Sequence, residues 1–163
     1  MKQSRIASFK KVSGKLRRIW VGPDEQRAKE VKAVRLLVVD GEDSICFSLR
    51  EYFTLQGYNV DTARELDEAE KLLEDNEYEV VVQDLRLGPA QRPDGFELIK
   101  FIRNQNPRTR IIVLTAYGSA EMEKEALNGG ADAFLRKPKP LSDVAQVIQG
   151  LLESRPQQAA RGA

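Results

Sequence analysis

Twice along this chain a short apolar run leads to a carboxylate: Arg35-Leu36-Leu37-Val38-Val39-Asp40 and Glu79-Val80-Val81-Val82-Gln83-Asp84. No other feature constrains the fold as tightly. A strand with one wet face alternates apolar and polar residues, whereas a strand covered by helices on both faces of a parallel sheet reads as a continuous apolar run. Parallel strands need long crossovers, and the sequence supplies them. After Asp40, Ile45, Leu49 and Tyr52 or Phe53 recur at helical spacing until Gln56-Gly57, a glycine signal for a helix end. Tyr58-Asn59-Val60-Asp61 reads as a second strand, and Leu66, Ala69, Leu72 and Leu73 as the apolar face of the next helix.

Beyond Asp84, a loop containing Gly88, Pro89, Pro93 and Gly95 leads to a helix with Phe96, Ile99 and Ile102 inward. Ile111-Ile112-Val113-Leu114-Thr115 is a fourth strand, and the helix over 120–127 stops at Asn128-Gly129-Gly130. Ala133-Phe134-Leu135 is a fifth strand, followed by a helix over 142–152 with Val144, Val147, Ile148 and Leu151 inward. Five strands alternating with five helices predict an α/β domain over 35–153, a doubly wound five-stranded parallel sheet of the (βα)5 type. Residues 154–163, with Pro156 and little apolar content, are predicted to be a disordered tail.

Composition narrows the chemistry. The 163 residues suffice for one domain plus a modest appendage. The single cysteine, Cys46, excludes an internal disulfide and a multi-cysteine zinc site, and reads as a small apolar residue of the first helix. There is no histidine, which removes histidine bases, histidine metal ligands and Ser-His or Cys-His nucleophile pairs. No apolar run reaches the roughly 20 residues of a membrane-spanning helix. What remains is chemistry by carboxylates, hydroxyls, lysines and a metal.

Asp40, Asp84, Thr115 and Lys137 stand at the carboxyl ends of the first, third, fourth and fifth strands of this unit. Sites in open doubly wound sheets form outside those ends. Two carboxylates, a hydroxyl and an ammonium together suit a hard cation such as Mg²⁺ and a phosphoryl group. One carboxylate could attack phosphorus, while the lysine offsets negative charge and the threonine donates to a phosphoryl oxygen.

Val38-Val39-Asp40, Val82-Gln83-Asp84-Leu85-Arg86-Leu87, Leu114-Thr115-Ala116-Tyr117-Gly118, Gly129-Gly130-Ala131-Asp132-Ala133-Phe134 and Lys137-Pro138 together resemble the receiver domain of two-component response regulators. The resemblance covers about residues 35–153 and places the layout among flavodoxin-like folds. It implies that Asp84 accepts a phosphoryl group from a phosphohistidine on a sensor kinase or phosphotransfer protein. Asp40, Asp84 and the backbone carbonyl of Arg86 would hold Mg²⁺. Thr115 and Lys137 would contact the phosphoryl group, with a cis Lys137-Pro138 peptide aiming the lysine. Thr115 and Phe134 would act as the switch that remodels the face made by the fourth helix, fifth strand and fifth helix, where a downstream protein would dock.

The sequence departs from that family at three places. Gly41 stands where receivers usually carry a second acid, a direct metal ligand, so Mg²⁺ binding is expected to be weak, with Glu42 the nearest replacement ligand. The loop containing Gly88-Pro89-Ala90-Gln91-Arg92-Pro93 is about three residues longer than usual. Phe134 lacks the hydroxyl of the tyrosine often found there, so a switch would act by packing alone.

Charge sets residues 1–34 apart as an arm and linker. Lys2, Arg5, Lys10, Lys11, Lys15, Arg17 and Arg18 precede the first acid, Asp24, leaving 19 bases against 25 acids for the rest of the chain. Ile6, Phe9, Val12, Leu16, Ile19 and Trp20 recur at helical spacing and predict a basic amphipathic helix, weakened at Gly14, for an acidic partner or an anionic membrane surface. No DNA-reading module is recognisable, and nucleic acid is not expected as a partner.

The function expected is that of a stand-alone response regulator of phosphorelay signalling, cytoplasmic or peripheral at the membrane. It is not an enzyme in this reading, but a phosphoprotein acting by protein–protein contact. The alternative, motivated by Gly41, is a phosphorylation-independent pseudo-receiver serving interaction or localisation.

Overall fold

The computed structural model describes residues 8–12, 15–19, 32–88 and 90–154. The chain divides into two units, Met1–Lys32 and Ala33–Ala163, and each is taken by itself.

In the first unit, β1 (Ser8–Val12) pairs antiparallel with β2 (Lys15–Ile19), setting Phe9 opposite Arg18, Lys10 opposite Arg17 and Lys11 opposite Leu16. This overturns the amphipathic helix expected here. Phe9, Val12, Leu16 and Ile19 fit a helical period, but Ser13-Gly14 falls between them. That dipeptide favours a turn, and its glycine costs a helix about 1 kcal/mol. Ile6 and Trp20, the ends of the expected helix, lie outside the described residues. So do residues 22–31 of the expected linker and 155–163 of the expected tail.

The second unit runs β3 (Arg35–Val39), α1 (Asp43–Leu55), β4 (Asn59–Ala63), α2 (Leu66–Asp75), β5 (Val80–Gln83), α3 (Gly95–Gln105), β6 (Arg110–Thr115), α4 (Ala120–Gly129), β7 (Ala133–Arg136) and α5 (Leu141–Glu153). Its five strands form one parallel sheet in the order β4-β3-β5-β6-β7, the expected (βα)5 arrangement. Alternation within the apolar runs divides the core in two. Leu36, Val38, Val80, Val82, Ile112 and Leu114 pack with α1 and α5, while Leu37, Val39, Val81, Ile111 and Val113 pack with α2, α3 and α4. Both faces of the central strands are therefore dry, as continuous apolar runs require.

The helix ends follow the sequence signals. Gly57 adopts φ +88 after the α1 cap at Gln56. Gly130, at φ +116, caps α4, and its N–H reaches the carbonyls of Ala126 and Leu127. The Ser119 hydroxyl accepts from Met122 N–H at 3.2 Å and starts α4. Among the described residues no helix is long and apolar enough to cross a membrane.

The described residues of the long loop after Asp84 are tied by backbone hydrogen bonds. Leu87 and Arg92 exchange backbone hydrogen bonds at 2.9 and 3.2 Å, and Gly88 N–H donates to the Arg64 carbonyl at 3.1 Å. Its expected Pro89 lies outside the described residues.

Candidate functional site

The strand order places β3 beside β5, with β4 turning one way and β6 the other, so the sheet's switch point lies between them. Val39 and Gln83 are in register, and Asp84 N–H donates to the Val39 carbonyl at 2.8 Å. Asp40 and Asp84 thus leave their strands at one level. From β7, Lys137 is anchored by its own N–H to the Thr115 carbonyl at 2.8 Å, and the Lys137–Pro138 peptide is cis.

The Lys137 ammonium joins the two carboxylates, at 2.6 Å from Asp40 Oδ2 and 3.0 Å from Asp84 Oδ2. The other oxygens face backbone donors: Asp40 Oδ1 accepts from Glu42 N–H at 2.9 Å and Asp84 Oδ1 from Arg86 N–H at 3.3 Å. Asp40, Asp84 and Thr115 are all buried. Burial pushes the Asp40 carboxyl above the ordinary carboxylate range, against the opposing effects of the Lys137 and Glu42 bonds. Burial works to lower Lys137, but its bonds to Asp40 and Asp84 and their charges outweigh it and hold the ammonium above its ordinary value.

Thr115 lies at the end of the neighbouring strand, and its hydroxyl is engaged within its own loop. It donates to the Tyr117 carbonyl at 3.4 Å and accepts from Tyr117 N–H at 3.2 Å. Phe134 is half-buried against the core on the α2–α3–α4 side, with its ring beside Gly118. Arg86 is half-buried, with its guanidinium 4.4 Å from the centroid of the exposed Tyr117 ring.

Glu42 does not join this cluster. It occupies the cap position of α1 with extended backbone, turns its N–H to Asp40 and exposes its side chain. Among the described residues no group of three or more His, Cys, Asp or Glu is placed to hold a metal ion. The carboxylates brought together are those of Asp40 and Asp84, and Arg86 adjoins them through its N–H to Asp84 Oδ1. Mg²⁺ keeps several waters and is commonly bound through one or two carboxylates plus phosphate oxygens. The set fits a sparsely liganded ion completed by a phosphoryl group.

Several participants escaped the sequence reading. Gln83, buried behind Asp84, donates from Nε2 to the Gly95 carbonyl at 2.7 Å and ties the start of α3 to β5. Gly95 fits because a Cβ there would meet the Asp84 carbonyl oxygen and lie 2.6 Å from Leu85 Cα. The Cys46 thiol donates to the Asp40 carbonyl at 3.3 Å. The Arg86–Tyr117 contact had one usable signal: each residue stands two positions beyond a strand-end site residue.

Comparisons agree with this geometry. Residues 36–149 match the family model described as the response regulator receiver domain. The regulatory protein AtoC of Escherichia coli (strain K12) is 34% identical over 119 residues, covering 73% of this chain and 25% of AtoC. The response regulator MprA of Mycobacterium sp. (strain KMS) is also 34% identical, over 73% of this chain and 50% of MprA. The chain thus spans a quarter to a half of the length of these curated relatives. A crystal structure of a Burkholderia pseudomallei response regulator, with a phosphorylated aspartic acid, calcium ion and citrate, superposes with TM-score 0.67 at 30% identity, covering 80% of this chain and 75% of that one. With the strand-end carboxylates, the bridging lysine and the matched span all in agreement, this chain belongs to the response regulator receiver domain family.

Proposed function

We propose that Asp84 accepts a phosphoryl group from a phosphohistidine on a sensor kinase or phosphotransfer protein, and that the chain signals by protein–protein contact. The observation that carries this is the Lys137 ammonium shared between two buried carboxylates from adjacent strand ends. An oxygen of Asp84 attacks phosphorus as the P–N bond of the donor breaks. The electron pair goes to the imidazole nitrogen, which takes a proton from solvent. Lys137 then pairs with the phosphoryl oxygens, and the Thr115 hydroxyl gives up its 3.4 Å contact with the Tyr117 carbonyl to donate to one of them. Bound Mg²⁺, held by Asp40, Asp84 and the Arg86 carbonyl, would supply charge neutralisation for the transferring group. Movement of Thr115 is passed to Phe134 through packing, altering the α4–β7–α5 face where a downstream protein binds.

Intact-mass measurement after incubation with acetyl phosphate tests the proposal. One added phosphoryl group that requires both Mg²⁺ and Asp84, and is absent in Asp84→Asn, supports it. The same adduct in Asp84→Asn refutes it. A second reading, a phosphorylation-independent interaction module, draws on Gly41 and on the lack of a three-acid cluster among the described residues. No uptake by wild type, from acetyl phosphate or from a phosphohistidine donor, favours that reading instead.

A further inference from the structure

Gly41 marks the corner of the site where a second acid would stand, and that corner is not open. A Cβ built on Gly41 would lie 3.4 Å from Gln91 Nε2 and 3.5 Å from both the N and O of Gly88. The lengthened loop therefore borders the space beside Asp40. A side chain at position 41 would be in van der Waals contact with the Gln91 amide and the Gly88 backbone, so a carboxylate there would share the corner with them.

Gln91 is held in this place by its own turn. Its backbone sits at φ +49, in the left-handed region that non-glycine residues rarely adopt. Its backbone N–H and its side-chain Nε2 both donate to the Gly88 carbonyl, at 3.1 and 3.3 Å. The turn is closed on one side by the Leu87–Arg92 pair and pinned on the other by Gly88 N–H to the Arg64 carbonyl. The turn thus holds the carboxamide of the exposed Gln91 beside Gly41, the position where the acid is missing.

We infer that Gln91 is a residue of the phosphorylation site, its carboxamide standing in for the second acid as a neutral hydrogen-bonding group on the cation side of the pocket. A carboxamide offers an oxygen acceptor and two N–H donors, and rotation about its last bond exchanges them. It can face a water of a hydrated cation through oxygen, or a phosphoryl oxygen through nitrogen. Gly41 and the loop are then one device: the glycine leaves the room, the loop fills it, and the site carries one negative charge fewer. The inference rests on the receiver reading for what the site binds, and adds a positioning residue that the family resemblance does not supply.

The test is Mg²⁺ affinity, measured calorimetrically on the full chain with MgCl₂ as the only titrant. Gln91→Glu keeps the side chain's length and adds an acid in the corner, so it should tighten Mg²⁺ binding by about tenfold, as cation affinity follows ligand charge. Gly41→Asp, whose carboxylate meets the Gln91 amide, should change it by less than about threefold, and Gly41→Asp with Gln91→Ala should recover the gain, as coupled neighbours do. Gln91→Glu tightening more than Gly41→Asp supports the inference. Gly41→Asp alone matching or exceeding Gln91→Glu overturns it, because the corner would then be free for the acid. Gly57→Ala, far from the loop and at φ +88, serves as the control for general destabilisation. Failure of the receiver reading would show separately, as no Asp84-dependent mass gain, with the Mg²⁺ comparison unaffected.

Discussion

Lys137 Nζ lies 2.6 Å from Asp40 Oδ2, closing an ion pair between residues 97 positions apart in the chain. Both side chains are nearly buried, and Asp84 shares the same ammonium at 3.0 Å. One cation thus serves two carboxylates at the end of the sheet.

Removing that cation should be costly. Lys137→Met leaves two buried carboxylates facing each other and should lower stability by about 3 kcal/mol at neutral pH. Urea denaturation would show it, and the loss should shrink in acid, where the carboxyls take up protons. A variant as stable as wild type at pH 7 would mean the pair contributes nothing.

Asp40 behaves in the opposite sense. Its folded-state titration lies above the ordinary 3.8, with burial as the main cause, so the folded state holds the proton more tightly than the unfolded chain. Its charge is then a net cost above the folded titration range, and the cost disappears as pH falls toward 3.8. Asp40→Asn should be more stable than wild type at pH 7, with the gap closing in acid. Thermal melts across pH 3–8 would measure this. Lys137, raised by its partners, adds stability that is complete below its ordinary 10.5 and lost as pH rises through the folded value.

Phe134 and Gly118 form a second checkable contact. A Cβ on Gly118 would approach Phe134 Cε1 to 2.9 Å and Cζ to 3.1 Å, so the ring has to shift. Gly118→Ala should cost about 1–2 kcal/mol through overpacking. Phe134→Leu in the same chain should return most of it. If the two changes simply add in a double-mutant cycle, ring and loop are not coupled.

Cys46 should be chemically quiet. It is buried, and burial together with the Asp40 charge pushes its thiol up to about 11. A thiol-reactive disulfide reagent at pH 8 should modify little of the native protein and one equivalent of the denatured chain. Full reaction of the native protein would refute this.

The alternation of apolar runs with helical spacing carried the (βα)5 sheet because both signals are local: a run of Val and Leu between two amphipathic helices has few other ways to become dry. The four strand-end residues were legible for the same reason, since parallel strands bring their carboxyl ends to one edge. At the N-terminal arm Phe9, Val12, Leu16 and Ile19 satisfy a helical period, while the observed antiparallel pairing depends on which residues oppose each other between the two strands, a relation that period does not carry. Proximity in sequence makes Glu42 the nearest replacement ligand, yet its N–H turns to Asp40 and its side chain is exposed.

Patterning along the chain suffices for the sheet, its two-sided core and the set of strand-end groups, because burial and strand direction follow from it. That Lys137 closes on Asp40 and Asp84 together, that Thr115 is held within its own loop, and that the Gln91 amide lies beside Gly41 emerge only in the folded chain. Those outcomes depend on how loops from distant parts of the chain meet in space, and a contact between loops leaves no period in the sequence that makes it.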